Sequence, residues 1–152
     1  MKLAEALAER ADAQKRVAQL TQRIQLSART QEGETPPESA NELLGEVDEV
    51  LDRLEELIRR INRTNSAVEL EPELSLTDAL ARRDVLGLRR RAFASAAEAA
   101  SVRQDRYSRS EVKFVSTLDV SRVRRTVDDL SRDYRELDAR IQARNWEVDL
   151  AE

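Results

Sequence analysis

Residues 40–65 read ANELLGEVDEVLDRLEELIRRINRTN, and this stretch predicts a long amphipathic α-helix. Its apolar side chains recur at alternating steps of three and four residues, which places them on one helix face. The seam runs through Ala40, Leu44, Val47, Leu51, Leu54, Ile58, Ile61 and Asn65. Beside it lies a second set at seven-residue spacing, made of Leu43, Val50 and Leu57. The apolar face is therefore wider than a two-helix seam requires.

The same periodicity predicts three further helices. With the first stretch they cover about residues 2–28, 39–64, 76–107 and 118–146. The first predicted helix has a seam from Leu3 to Ser27 that Arg10 interrupts, and the last has a regular heptad from Val120 to Ile141. The third has a broad face in which alanine lets neighbouring axes approach closely. Its apolar members are Leu76, Leu80, Val85, Leu88, Ala92, Phe93, Ala96, Ala97, Ala99, Ala100 and Val102.

The connections carry capping signals and two weak strand signals. A hydroxyl followed three residues later by an acid is typical of a helix N-terminus. Four such pairs are Thr35 with Glu38, Ser39 with Glu42, Ser75 with Asp78, and Ser116 with Asp119. Residues 68–71 alternate apolar and acidic side chains, and residues 112–116 favour extended structure. We expect a short β element that pairs these two segments.

Composition favours an all-α fold. The 152 residues include only 3 Gly and 3 Pro, too few turn formers for a sandwich or barrel, while 37% are charged. We predict a single all-α domain over residues 1–152. Its architecture is an elongated antiparallel four-helix bundle, built as coiled-coil hairpins.

The absent residue types limit the chemistry. The sequence has no Cys and no His, which excludes a thiol nucleophile, a disulfide, a His-ligated metal and a Ser-His-Asp triad. The acidic loops do not follow EF-hand spacing. We therefore predict a structural or interaction protein that is not an enzyme, with no catalytic residues, no cofactor and no metal site.

Nothing in the hydropathy pattern indicates a membrane span or a secretory signal. No charge-free stretch exceeds six residues, whereas a spanning helix needs about 20 apolar residues. Residues 1–5 enter the helical pattern directly, without the apolar core of a signal peptide. We expect a cytoplasmic protein.

Charge is segregated along the chain. Residues 30–73 contain 4 basic and 13 acidic residues, a net charge of −9, and residues 82–125 contain 12 basic and 5 acidic residues, a net charge of +7. Surplus apolar surface is covered most simply by a second copy, so we predict a homo-oligomer in which charge selects the register. The alternative is that one four-helix monomer uses all the apolar surface.

An arginine-rich region suggests a second alternative, a nucleic-acid-binding protein. Its members are Arg82, Arg83, Arg89, Arg90, Arg91, Arg122, Arg124 and Arg125. Such side chains could follow a phosphate backbone. However, Asp84, Asp128 and Asp129 interrupt the patch, and only 3% of residues are aromatic. The pattern favours a salt-bridged helix surface over nucleic acid.

Two segments at predicted helix ends form the candidate binding surface, because binding residues often lie where rigid elements end. The first is the end of the second predicted helix and the second is the polar run around residues 106–113. The candidate residues are Asn62, Arg63, Asn65, Arg106, Tyr107, Arg109 and Lys113.

Several stretches together resemble a family of small bacterial proteins commonly labelled septicolysin. They include MKLAEAL at 1–7, QEGE at 31–34, INRTN at 61–65, LTDALARRD at 76–84 and RYSRSEVK at 106–113. The likeness also includes Arg10-Ala11-Asp12 and Asn145-Trp146, so it spans nearly the whole chain. It implies a small helical protein, and the label implies a membrane-active toxin as an alternative function.

Overall fold

The structure, a computed structural model, describes residues 1–101 and 113–152 and confirms the all-α prediction. The helices are α1 (Leu3–Ser27), α2 (Ala40–Ala67), α3 (Leu76–Ala100) and α4 (Val120–Glu147), and the strands are β1 (Glu69–Glu71) and β2 (Leu74–Ser75). The second helix therefore runs past its predicted end at residue 64. The third ends before its predicted limit, and residues 102–107 of that prediction lie outside the described residues.

The chain divides into two compact units. One consists of residues 1–75 with 142–152, and the other of residues 76–141. The single domain expected from the sequence stays a prediction.

In the first unit, α1 and α2 pack antiparallel. Three ion pairs join them. Residues further along α1 pair with residues closer to the start of α2. The pairs are Glu9 with Arg53 at 3.3 Å, Arg16 with Glu46 at 2.9 Å, and Arg23 with Glu38, which precedes α2. This order is that of an α-helical hairpin.

The buried face of α2 differs from the predicted seam. Leu43, Leu54, Leu57 and Ile61 are buried, whereas Leu44 and Leu51 of the predicted seam are 50% and 42% exposed. The buried residues come from both sets, Leu54 and Ile61 from the seam and Leu43 and Leu57 from the set beside it, so the face in contact with α1 leaves the Leu44 side of the seam uncovered. The assignment of Leu44 and Leu51 to the core was therefore wrong.

Of the two overlapping start signals before α2, the second is used. The Ser39 hydroxyl accepts a hydrogen bond from the Glu42 amide at 3.3 Å, and Ser39 is the N-cap. Glu38 has another role, since its carboxylate accepts hydrogen bonds from the Arg23 guanidinium. This hydrogen bonding lowers the pKa of the Glu38 carboxyl below its ordinary value.

The predicted β element has the expected first strand but another partner. β1 pairs antiparallel with β2 through a tight turn at Pro72 and Glu73, and Glu73 takes a left-handed backbone with φ of 66°. Residues 113–116 form no strand, and residue 112 lies outside the described residues. The predicted pairing with residues 112–116 was wrong because a local hairpin costs less loop-closure entropy than a distant partner.

In the second unit, α3 and α4 pack antiparallel, and the predicted seam of α4 is confirmed as its inward face. Leu130, Leu137 and Ile141 are buried, and the other seam residues are half-buried. The N-cap of α4 is Asp119, whose carboxylate accepts from the Arg122 amide at 3.0 Å. Ser116, the expected cap, exchanges hydrogen bonds with Leu118 instead, so its predicted role was wrong.

Contacts along the helix pair show which side of α3 faces α4. Arg83 pairs with Asp138 at 3.0 Å, and the Arg90 guanidinium lies 5.5 Å from the Tyr134 ring centroid. Gly87 is buried against the same ring. The prediction that Val85 and Leu88 face inward was wrong, because arginine stems and a bare glycine occupy that side instead.

Candidate functional site

The first predicted binding segment is partly covered by the chain itself. Arg60 donates a hydrogen bond to the Ala151 carbonyl at 2.8 Å, and Arg63 donates to the Glu152 carbonyl. The buried Thr64 hydroxyl accepts from the Ala151 amide at 2.9 Å while donating to the Arg60 carbonyl at 2.8 Å. The last turns of α2 thus hold residues 151–152 in place.

Of the candidates in this segment, Asn62 and Arg63 are exposed and Asn65 is half-buried. Asn62 and Asn65 are therefore left at the edge of a structural contact. Arg63, the charged residue of the three, already donates a hydrogen bond to a backbone carbonyl.

Residues 1–3 and 148–150 form a short antiparallel bridge in the same unit. The Leu3 amide donates to the Val148 carbonyl, and the Leu150 amide donates to the Met1 carbonyl, both at 2.9 Å. Lys2 pairs with Asp149 at 2.8 Å, and its hydrogen bond lowers the pKa of that carboxyl. These contacts hold the ends of the unit together.

The second predicted segment is described only at its end. Arg106, Tyr107 and Arg109 lie outside the described residues. Lys113 is exposed, as are the apolar side chains of Phe114 and Val115 that follow it.

A more extensive candidate surface lies on α2. We call it the leucine row: Leu44, Leu51 and Ile58, which repeat every seven residues along one side of the helix. The two leucines are about half exposed and Ile58 is half-buried. The exposed carboxylates of Asp48 and Glu55 lie beside the row, because each residue follows a leucine of the row by four positions and residues four apart are neighbours on a helix surface. Neither forms an ion pair with another described residue.

A matching surface lies on α3. We call it the small row: Ala81, Val85, Leu88 and Ala92, spaced four, three and four residues apart and all exposed. Val85 is 49% and Leu88 58% exposed, so this stripe points away from α4.

Two arginines border the small row. Arg82 and Arg89 each follow a member of the row by one residue, and both are exposed. Neither guanidinium has an ion-pair partner among the described residues. By contrast, Arg83 on the inward side pairs with both Asp84 and Asp138.

Sequence reasoning placed the leucine row on the seam of α2, and Val85, Leu88 and Ala92 on the apolar face of α3, but it did not include Ala81. A signal for the alternative was present, because the small row and its arginines share one seven-residue repeat. An inward stripe is not normally bordered by unpaired charges at every turn.

A groove between α1 and α2 is a further candidate site, and its rim charges are paired with each other. An open groove of about 340 Å³ between α1 and α2 has Val50, Leu54 and Leu57 on its floor. Glu9 and Arg53 on its rim form an ion pair across it.

Among residues 1–101 and 113–152, no three His, Cys, Asp or Glu side chains are placed to share a metal ion. No helix in the described part of the chain is long and apolar enough to cross a membrane.

Comparison with known proteins assigns the chain to a family. A model for a family of unknown function, DUF6847, matches residues 10–150. The chain belongs to the DUF6847 family. A crystal structure of a functionally unknown conserved protein from Corynebacterium diphtheriae superposes with a TM-score of 0.95 at 44% sequence identity, covering 99% of each chain. The two proteins thus share one fold over 99% of each chain. Comparison with the curated proteins finds no match. The septicolysin resemblance stays a prediction, because the DUF6847 description assigns no activity.

Proposed function

We propose that this member of the DUF6847 family is a non-enzymatic structural or interaction protein of the cytoplasm that associates with itself through exposed helix faces. The observation that carries the proposal is the presence of two apolar rows, on α2 and α3, that other described helices leave uncovered. Monomeric proteins scatter single apolar residues over their surfaces, whereas regularly spaced ones are typical of interfaces.

The exposed side chains allow an estimate of the strength of association. Burying a whole Val or Leu side chain contributes about 1.5–3 kcal/mol, so each half-exposed member contributes about 1 kcal/mol when covered. Leu44, Leu51, Val85 and Leu88 of two copies then supply about 8 kcal/mol. Association costs at least about 4 kcal/mol in lost translational and rotational freedom. A weak, reversible interaction is expected, and it should depend strongly on concentration.

Static light scattering coupled to size-exclusion chromatography tests the proposal. Between about 10 and 500 µM, a range chosen for affinities weaker than micromolar, the mass should rise from 17.3 kDa towards twice that value. The variant L44Q/L51Q should remain at 17.3 kDa throughout. Leu26 is an exposed leucine of α1 outside both rows, so the matched control L26Q should behave like the unmodified protein. A mass of 17.3 kDa for the unmodified protein at every concentration would refute the proposal.

A further inference from the structure

We propose that the two rows bind each other across copies: the leucine row of α2 in one copy packs on the small row of α3 in a second copy. The inference rests on the proposed self-association and names its surfaces. The occupant of each row is thus another copy of this chain.

The spacing of the two rows supports the pairing. Leu44, Leu51 and Ile58 repeat every seven residues, and so do Ala81 with Leu88 and Val85 with Ala92. Equal repeats let side chains of one helix enter the spaces of another over several turns. The leucine row spans about 21 Å and the small row about 16 Å at 1.5 Å per residue. The alanines of the small row leave room for the leucines of the other, so large side chains meet small ones.

The charges give the pairing its selectivity. Asp48 and Glu55 are seven residues apart, as are Arg82 and Arg89, so each pair is separated by about 10 Å along its helix. When the two rows pack together, both acids can therefore meet both arginines at the same time. None of the four has an ion-pair partner among the described residues.

The same charges disfavour the pairing of identical faces. Two copies of the α2 face would bring Asp48 and Glu55 against the same carboxylates, and two copies of the α3 face would bring arginine against arginine. Like charges placed across an interface oppose association. A reciprocal pair of copies uses each face once with its complement.

Charge reversal on each face tests this arrangement. The acid-reversed variant is D48R/E55R and the arginine-reversed variant is R82E/R89E. Each alone presents like charges on both faces, so its dimer dissociation constant should rise at least about tenfold. In an equimolar mixture every contact is again between opposite charges. The mixture should form a heterodimer with an affinity within about threefold of the unmodified protein.

Two controls separate this effect from misfolding. The variant E49R/E56R makes the same charge change at the same spacing on another side of α2, and it should dimerise normally. The neutral variants D48N/E55Q and R82Q/R89Q should each weaken dimerisation and make the dimer dissociation constant less sensitive to salt. Mixing the two neutral variants should not restore dimerisation. Far-ultraviolet circular dichroism establishes that every variant used is helical.

The outcomes separate this inference from the proposed function. If the unmodified protein dimerises and the reversed variants dimerise equally well, or fail to restore each other, the pairing of α2 with α3 is wrong and self-association stands. If the unmodified protein is monomeric up to about 500 µM, self-association and the pairing both fail.

Discussion

Two helical glycines in different surroundings provide a direct test of the packing described above. Gly45 lies within α2 and Gly87 within α3. A Cβ atom added at Gly45 would have no neighbour within 4 Å, whereas one added at Gly87 would lie 3.3 Å from Cε2 and 3.7 Å from Cδ2 of Tyr134. The same substitution thus tests helix propensity alone at one site and propensity plus packing at the other.

The expected magnitudes follow from these distances. Alanine in a helix interior is about 0.8–1.0 kcal/mol more favourable than glycine. Gly45→Ala should therefore raise the free energy of unfolding by about 1 kcal/mol, equivalent to a rise in Tm of about 2–4 °C. At Gly87 the half-buried Tyr134 ring must move by a few tenths of an ångström, which costs a similar amount. Gly87→Ala should change stability by less than about 0.5 kcal/mol.

Urea unfolding followed by circular dichroism, at one fixed protein concentration, measures both effects. In a Tyr134→Ala background the added methyl group meets no ring, so Gly87→Ala should then stabilise by about 1 kcal/mol. Equal stabilisation by Gly45→Ala and Gly87→Ala in the otherwise unmodified protein would refute the packing of Tyr134 against α3. So would a cycle with no coupling between positions 87 and 134.

Three further expectations concern hydrogen bonds, backbone strain and pH. Thr64→Val preserves shape but removes the acceptor for the Ala151 amide, so the free energy of unfolding should fall by about 1 kcal/mol in urea titrations, with Thr64→Ser as the control. Glu73→Gly should raise the free energy of unfolding by about 0.5–1 kcal/mol, because Glu73 has a left-handed backbone; an unchanged urea midpoint would contradict this reasoning. The lowered pKa of Glu38 means that its pair with Arg23 stabilises the fold above the ordinary glutamate pKa and loses that contribution as pH falls through the lowered value. Arg23→Gln should therefore flatten the decline in stability between about pH 5 and pH 3, measured by urea titration at each pH, and an unaltered slope would count against the pair.

The helices could be predicted from sequence because their periodicity depends only on residue spacing. The seam of α4 from Val120 to Ile141 was identified correctly, since it is the one clear apolar stripe on that helix. The start of α2 at Ser39 was among the predicted signals for the same reason: N-capping is a local interaction.

The orientation of the other helices could not be predicted in the same way. α2 has two adjacent apolar stripes, and only its position beside α1 decides that Leu43 is buried and Leu44 is exposed. On α3 the side that meets α4 is decided by distant partners, since Asp138 and Tyr134 receive Arg83 and Arg90. Long-range pairing of this kind has no signature in the spacing of one helix. Surplus apolar surface predicted self-association, but the residues of the proposed interaction surface could not be identified, because spacing alone does not show which apolar stripe is left exposed.

The bridge between residues 1–3 and 148–150 allows the order of the helices along the chain to be changed by circular permutation. Because the Leu150 amide reaches the Met1 carbonyl at 2.9 Å, a linker of a few residues can join residue 152 to residue 1. New termini opened at Gly33, where an added Cβ meets nothing within 4 Å, leave the Arg23 and Glu38 pair intact. Such a circular permutant keeps every described contact of α1 with α2 while reversing which of them is synthesised first.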